Sequence, residues 1–193
     1  MRKIILLLTL SLASCSSLKS KVRVSGYDGD LLLRAKLALA AISNEDAETI
    51  ASIVHPGQGI RISPDMNVTQ ESIVLKPKDI KEHLNDEKKF KWGIEDGTGD
   101  PIVLTLNEYL QTRAEIFSGV TDVLTGDIAT IGKRRSSAPN TTATFFASDV
   151  LVVSYRIQAS HPENHDWQTL WMVFRQKNGV WFLVGLVNDQ WTI

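Results

Sequence analysis

Apolar residues in this chain follow two rhythms. Early stretches repeat every three to four residues, and late stretches alternate. The strongest alternation runs from Trp167 to Ile193. Leu170, Met172 and Phe174 fall on one face of a strand and Thr169, Trp171 and Val173 on the other. After the polar turn at Asn178-Gly179, Phe182, Val184 and Leu186 alternate with Trp181, Leu183, Gly185 and Val187. Period-two alternation rich in aromatic and β-branched residues predicts two paired strands, and Asn-Gly supplies the positive φ of a tight hairpin turn. Both faces are apolar, so the hairpin is expected to be central and covered on each side.

The early rhythm is helical. Asp28 or Asp30 can cap a helix from Leu31 to Ile42, with Leu31, Leu32, Ala35, Ala38, Leu39 and Ile42 forming its apolar stripe. Ser43 and Asp46 have capping-box spacing ahead of Ala47, Ile50, Ala51 and Val54, and His55-Pro56-Gly57 closes that second helix. Short strands are expected at Gly59 to Ser63, with Arg61 opposite Ile60 and Ile62, and at Ile73 to Leu75. Pro77 opens a helix containing Ile80 and Leu84. Asn85 to Lys89 reads as a solvated loop, and Phe90, Trp92 and Ile94 alternate as a strand. Thr105 and Glu108 form a second capping box, opening a helix with Leu106, Tyr109, Leu110, Arg113, Ala114 and Phe117. Gly119 to Gly132 mixes apolar residues with glycine and aspartate breaks. Asp149 to Ile157, DVLVVSYRI, is the clearest long strand before the terminal hairpin. Helices early and long strands late predict an α+β fold: a curved antiparallel sheet with helices packed on one face, in one domain spanning 27–193.

Charge narrows the partners. The 21 basic and 22 acidic residues nearly balance, and removing Arg2 and Lys3 with the leader leaves 19 against 22, a net of −3. Neither count provides the basic field that nucleic acid requires. The leader, MRKIILLLTLSLASC, has a basic start, an apolar centre from Ile4 to Leu12 and small residues ahead of Cys15. That is the pattern of a secretory signal over 1–14, too short in its apolar centre to span a membrane comfortably. Its L-A-S-C ending resembles the bacterial lipobox, which implies cleavage before Cys15 and lipid on its thiol. Cys15 is the single cysteine, so an intrachain disulfide is excluded. Residues 15–26 then read as lipidated cysteine and polar tether, and Ser16 in place of aspartate is compatible with transfer to an outer membrane. The expectation is an exported protein held by lipid at an envelope membrane.

The element order from Asp30 to Ile193 resembles the nuclear-transport-factor-like and cystatin-like folds. The stretches H-P-x-x-G-I-R-I-S-P (His55 to Pro64) and W-G-x-x-D-G-x-G-D-P-I-x-L-T (Trp92 to Thr105), together with the Trp167–Ile193 hairpin, are similar to exported bacterial proteins that have no assigned activity. The resemblance implies a cone between sheet and helices and carries no catalytic residue over to this chain.

Candidate chemistry is sparse. His161 and His165 have H-x-x-x-H spacing, but Pro162 favours a loop, where that spacing loses its meaning as a metal signal. Glu95, Asp96 and Asp100 miss the calcium-loop pattern and read as a turn. Lys133, Arg134 and Arg135 lack interleaved aromatics and read as a solvated strand end. No phosphate loop, dinucleotide fingerprint or nucleophile elbow is present, and no cofactor is expected. What remains is a pocket set: His55, Arg61, Tyr155 and Asp189 as polar groups and Trp92, Trp171 and Trp191 as walls. If these converge in a cone, Asp189 or His55 can serve as acid/base in an isomerase-, dehydratase- or hydrolase-like enzyme. If Arg61 and Asp189 pair structurally, the chain reads as a non-enzymatic module binding a small molecule or an envelope protein.

Overall fold

The terminal alternation forms the centre of the sheet. In the computed structural model, which describes residues 23–25, 29–95, 98–115, 119–128, 141–146, 149–161 and 167–190, β8 (Gln168–Lys177) and β9 (Val180–Gln190) pair antiparallel along their whole length. Asn178 and Gly179 both take positive φ, 52° and 78°, as a two-residue turn of matching twist requires. β7 (Val150–Ile157) pairs with β8, and β6 (Asp122–Asp127) with β7, extending the antiparallel run to four strands.

Early strands close both edges. β2 (Ile60–Ser63) lies parallel to β9 and antiparallel to β3 (Val74–Leu75), while β1 (Arg23–Ser25) lies parallel to β6. The order is β1-β6-β7-β8-β9-β2-β3. β1 falls within the stretch read above as tether, so three of those residues belong to the sheet. A separate hairpin joins β4 (Lys89–Ile94) to β5 (Pro101–Thr105).

Four helices cover one face: α1 (Gly29–Ser43), α2 (Ala47–Ile53), α3 (Pro77–His83) and α4 (Leu106–Ala114). Their buried residues Leu31, Ala35, Ile42, Ile53, Ile80 and Leu106 share one cluster with Val153, Leu170, Met172 and Phe174 of the sheet. The capping box at Thr105 forms as its spacing predicts, with Thr105 Oγ1 accepting from Glu108 N and Glu108 Oε2 accepting from Thr105 N. The one at Ser43 does not. Ser43 ends α1, and Asp46 itself caps α2, its carboxylate accepting from Thr49 N at 3.0 Å and Thr49 Oγ1 at 2.6 Å. These bonds to the charged form hold the Asp46 carboxyl below its ordinary value.

The opposite face is covered too, by Met66 and Val68 after β2 and by α5 (Thr142–Phe146). They pack on Val152, Trp171, Val173, Val184 and Val187. The two-sided cover expected of the hairpin is therefore present. One detail of its alternation differs. The pairing shifts between Val173, opposite Gly185, and Phe174, opposite Leu183, leaving Val184 as an extra residue. Leu183 and Leu186 consequently share the helix side, while Val184 and Val187 share the outer side. Strict alternation would have put Val184 with Leu186. The bulge needs glycine beside it, because a Cβ at Gly185 would lie 2.4 Å from Phe146 Cζ.

Candidate functional site

On the outer face, β2, β9, β8 and α5 enclose a cleft of about 260 Å³ lined by Gln58, Gly59, Arg61, Val74, Phe145, Phe146, Arg175 and Val184. Alternation on β2 creates its cationic wall: Ile60 and Ile62 enter the helix-side core, so Arg61 between them points outward. A second hollow of about 560 Å³ shares Arg61 and Phe145 and adds Gln70, Thr141 and Thr144. Arg61 thus stands between two adjoining spaces.

The guanidinium of Arg61 lies 4.6 Å from the centroid of the Phe145 ring. Its Nη1 donates to the carbonyls of Thr69, Gln70 and Ser72 at 3.0, 3.2 and 2.8 Å. No carboxylate pairs with it among the described residues, and burial alone pulls its pKa below the ordinary arginine value. Arg175 is held differently. Its Nη1 donates to Gln58 Oε1 at 2.6 Å, and its Nη2 to Phe146 O and Asp149 Oδ1, both at 2.9 Å.

The turn at the mouth is built by His55. Its Nδ1 accepts from the backbone N–H groups of Gly57 and Gln58 at 3.1 and 2.9 Å, and its ring meets Phe182 edge-on at 5.8 Å. An acceptor role for Nδ1 requires it to be unprotonated. Burial first, and then the charges of Lys177, Arg175 and Lys76, lower the His55 pKa, which preserves that state. Gly59 at the end of the turn has φ +77°, and a Cβ there would sit 2.4 Å from Leu75 O.

The pocket residues nominated from sequence occupy separate parts of the fold. His55 and Arg61 are near the cleft, with Arg61 lining it. Trp92 stacks on Tyr109 at 4.3 Å and donates from Nε1 to Leu104 O, which makes it a wall between the small hairpin and α4. Tyr155 is buried in the helix-side cluster, and burial pushes its phenol well above the ordinary tyrosine value. Trp171 belongs to the outer cluster. Asp189 is buried opposite Thr169, on the same outer side as Trp171. Asn188, on the helix side, joins Gln168 and Gln190 in an amide network. Trp191 lies outside the described residues, as do Cys15, His165 and Lys133, Arg134 and Arg135. The structure therefore brings Arg61 to a cleft with Arg175, Phe145 and Phe146, and distributes Trp92, Tyr155, Trp171 and Asp189 elsewhere. Arg61 is bonded to the Thr69–Ser72 carbonyls, which replaces the structural pairing with Asp189 considered from sequence.

Sequence reading missed two features. Phe145 and Phe146 stand shortly before β7 and look like its beginning, yet they form part of α5. The run Asn85 to Lys89 is largely exposed, as read, and its Asp86 Oδ2 also lies 2.7 Å from Nδ1 of buried His83, with Lys88 Nζ 3.0 Å from its Nε2. Glu95 and Asp100 close a turn through backbone bonds. Among the described residues no three His, Cys, Asp or Glu side chains gather as a metal site requires, and no helix is long and apolar enough to cross a membrane.

No protein-family model and no curated protein matches this chain. Among solved structures, it is similar to an NTF2-like family protein from Streptomyces avermitilis at 15% identity and TM-score 0.32, covering 85% of this chain and 95% of that one. It is also similar to a domain of unknown function with a cystatin-like fold from Nostoc punctiforme at 13% identity and TM-score 0.34, covering 87% and 81%. These are likenesses of fold. The α+β assignment itself rests on the strand order and layers described above.

Proposed function

We propose that this chain is a non-enzymatic ligand-binding module of a bacterial envelope, held at a membrane by lipid on Cys15, with the outer-face cleft as its binding site. The cleft carries the reading: it combines a charged group and apolar walls in a half-open hollow on the face of the sheet away from the four helices. Pockets that orient small molecules have this mixture of apolar lining and a few placed polar groups. Acid/base chemistry has less support. The Nδ1 of His55 is committed to its own turn, Tyr155 lies among helix-side apolar groups, and Asp189 is on the outer side opposite Thr169.

The leader supports the anchoring part. Lipid chains contribute ~0.8 kcal/mol per buried methylene, enough when several act together to retain a domain at a bilayer. Seven residues separate Cys15 from β1. At full extension they reach about 25 Å, which keeps the domain close to the headgroups. Fractionation of cells expressing the chain and its Cys15→Ala variant tests this: the variant should leave the membrane fraction, and an unchanged distribution would contradict anchoring. Native mass spectrometry of the gently released protein tests binding. A reproducible adduct lost on Phe145→Ala is expected, and an adduct-free spectrum under the mildest conditions counts against the module.

A further inference from the structure

Arg61 is expensive to place where it is. It is half-buried, no acidic group among the described residues neutralises it, and its hydrogen bonds are all taken at Nη1. The three carbonyls and the Phe145 ring offset part of the desolvation, but neither carries a countercharge. If the residue only clipped the Thr69–Ser72 segment to β2, a neutral donor would do so without the cost of a buried charge. Two other cations stand at this mouth, and a third, Lys177 at the end of β8, acts on the adjacent His55. Lys76 donates from Nζ to Gly57 O, Arg175 lines the cleft, and Lys177 joins these two in lowering the His55 pKa. Against these four, the carboxylate in direct contact among the described residues is Asp149, on Arg175. A chain with a net charge of −1 has thus gathered positive charge around one small cleft.

We infer that the cleft binds a small organic anion, a carboxylate or a phosphate monoester carrying a compact apolar body. The anionic group meets the Nη2–Nε edge of Arg61, and the apolar body lies against Phe145, Phe146, Val74 and Val184. A guanidinium presents paired donors in one plane, which suits a planar carboxylate or a phosphate better than it suits a halide. About 260 Å³ is below the usual range for drug-sized pockets, so the ligand is small. Lys76 at the rim acts on capture more than on affinity, by steering an anion inward.

This inference rests on the ligand-binding reading above and is tested separately from it. The full chain is titrated by calorimetry with benzoate, phenyl phosphate, inorganic phosphate and neutral benzamide. Benzoate or phenyl phosphate should bind at least tenfold more tightly than benzamide, and inorganic phosphate more weakly than phenyl phosphate. Arg61→Gln should remove at least tenfold of the preference with an unchanged circular dichroism spectrum. Phe145→Ala, which leaves the charge in place, should weaken both aromatic anions together. Equal binding of benzamide and benzoate to the wild-type chain would overturn the inference and leave the binding reading standing. No heat with any probe up to millimolar concentration would overturn it as well, while an adduct in native mass spectrometry would still support a ligand of another class.

Discussion

The two faces of β8 and β9 are both covered, but in different ways. On the helix side, Leu170, Met172, Phe174, Leu183 and Leu186 meet four helices in one large apolar cluster. On the outer side, among the described residues, Trp171, Val173, Val184 and Val187 meet α5, Ile128 and the segment after β2, and the same surface carries Arg61, Arg175 and a cleft. A sheet needs one continuous apolar face to hold a domain together. With that requirement met by the helices, the second face can carry charge and empty space without breaking the main core. The contrast separates stability from the proposed function: the helix side holds the molecule together, and the outer side carries the proposed site.

Substitutions can break or sharpen that division. The largest effect is expected from Met172→Ala, which empties a fully buried position on the helix side. It should cost about 2–5 kcal/mol by denaturant unfolding, with most of the fold's cooperativity at risk. Next comes pH. Burial of the Tyr109 phenol against Trp92 raises its pKa to about 12, above the ~10 of an exposed tyrosine. The folded state favours the neutral phenol, so this contribution is complete below pH 10 and is lost as pH rises from about 10 through about 12. Tyr109→Phe should flatten that alkaline loss in unfolding curves. A variant as pH-sensitive as wild type would show that Tyr109 does not set it and would leave Tyr155, buried in the same cluster with a raised phenol pKa, as the source.

At the bulge where the phase of β9 changes, Gly185→Val should cost about 1–3 kcal/mol by overpacking against Phe146. Combining it with Phe146→Ala should recover part of the loss if this contact is the cause. Thr105→Ala should cost about 1 kcal/mol, the usual value of an N-cap, and should leave ligand binding at the outer face unchanged.

Much of the fold could be read from residue patterns. The α4 capping box, the Asn178-Gly179 turn and the alternation along β8 are local signals, and each formed where its spacing indicated. β2 formed where a short strand was expected, but its place beside β9 could not be read, and β1 was read as tether, because pairing with β6 and β9 is decided by distant partners. The slip in β9 was hidden for a related reason. One extra residue changes which side chains face inward, and Gly185 was the only local hint. The site was less legible still. Arg61 could be singled out as the polar residue of an apolar strand, but its neighbours Arg175, Phe145 and Phe146 come from β8 and α5. Nothing in a linear pattern brings those three to Arg61. Asp189 drew attention as an acid at the end of an apolar strand, yet the register places it opposite Thr169, away from the cleft.

The most direct measurement is a methyl NMR titration of the full chain with benzoate. The account predicts that the resonances of Val74 and Val184, which line the outer cleft, move and saturate together. Those of Leu170 and Met172, packed on the helix side, should stay in place. Saturating shifts at Leu170 and Met172 with Val74 and Val184 unmoved would put the ligand between sheet and helices, and would contradict the division of labour between the two faces.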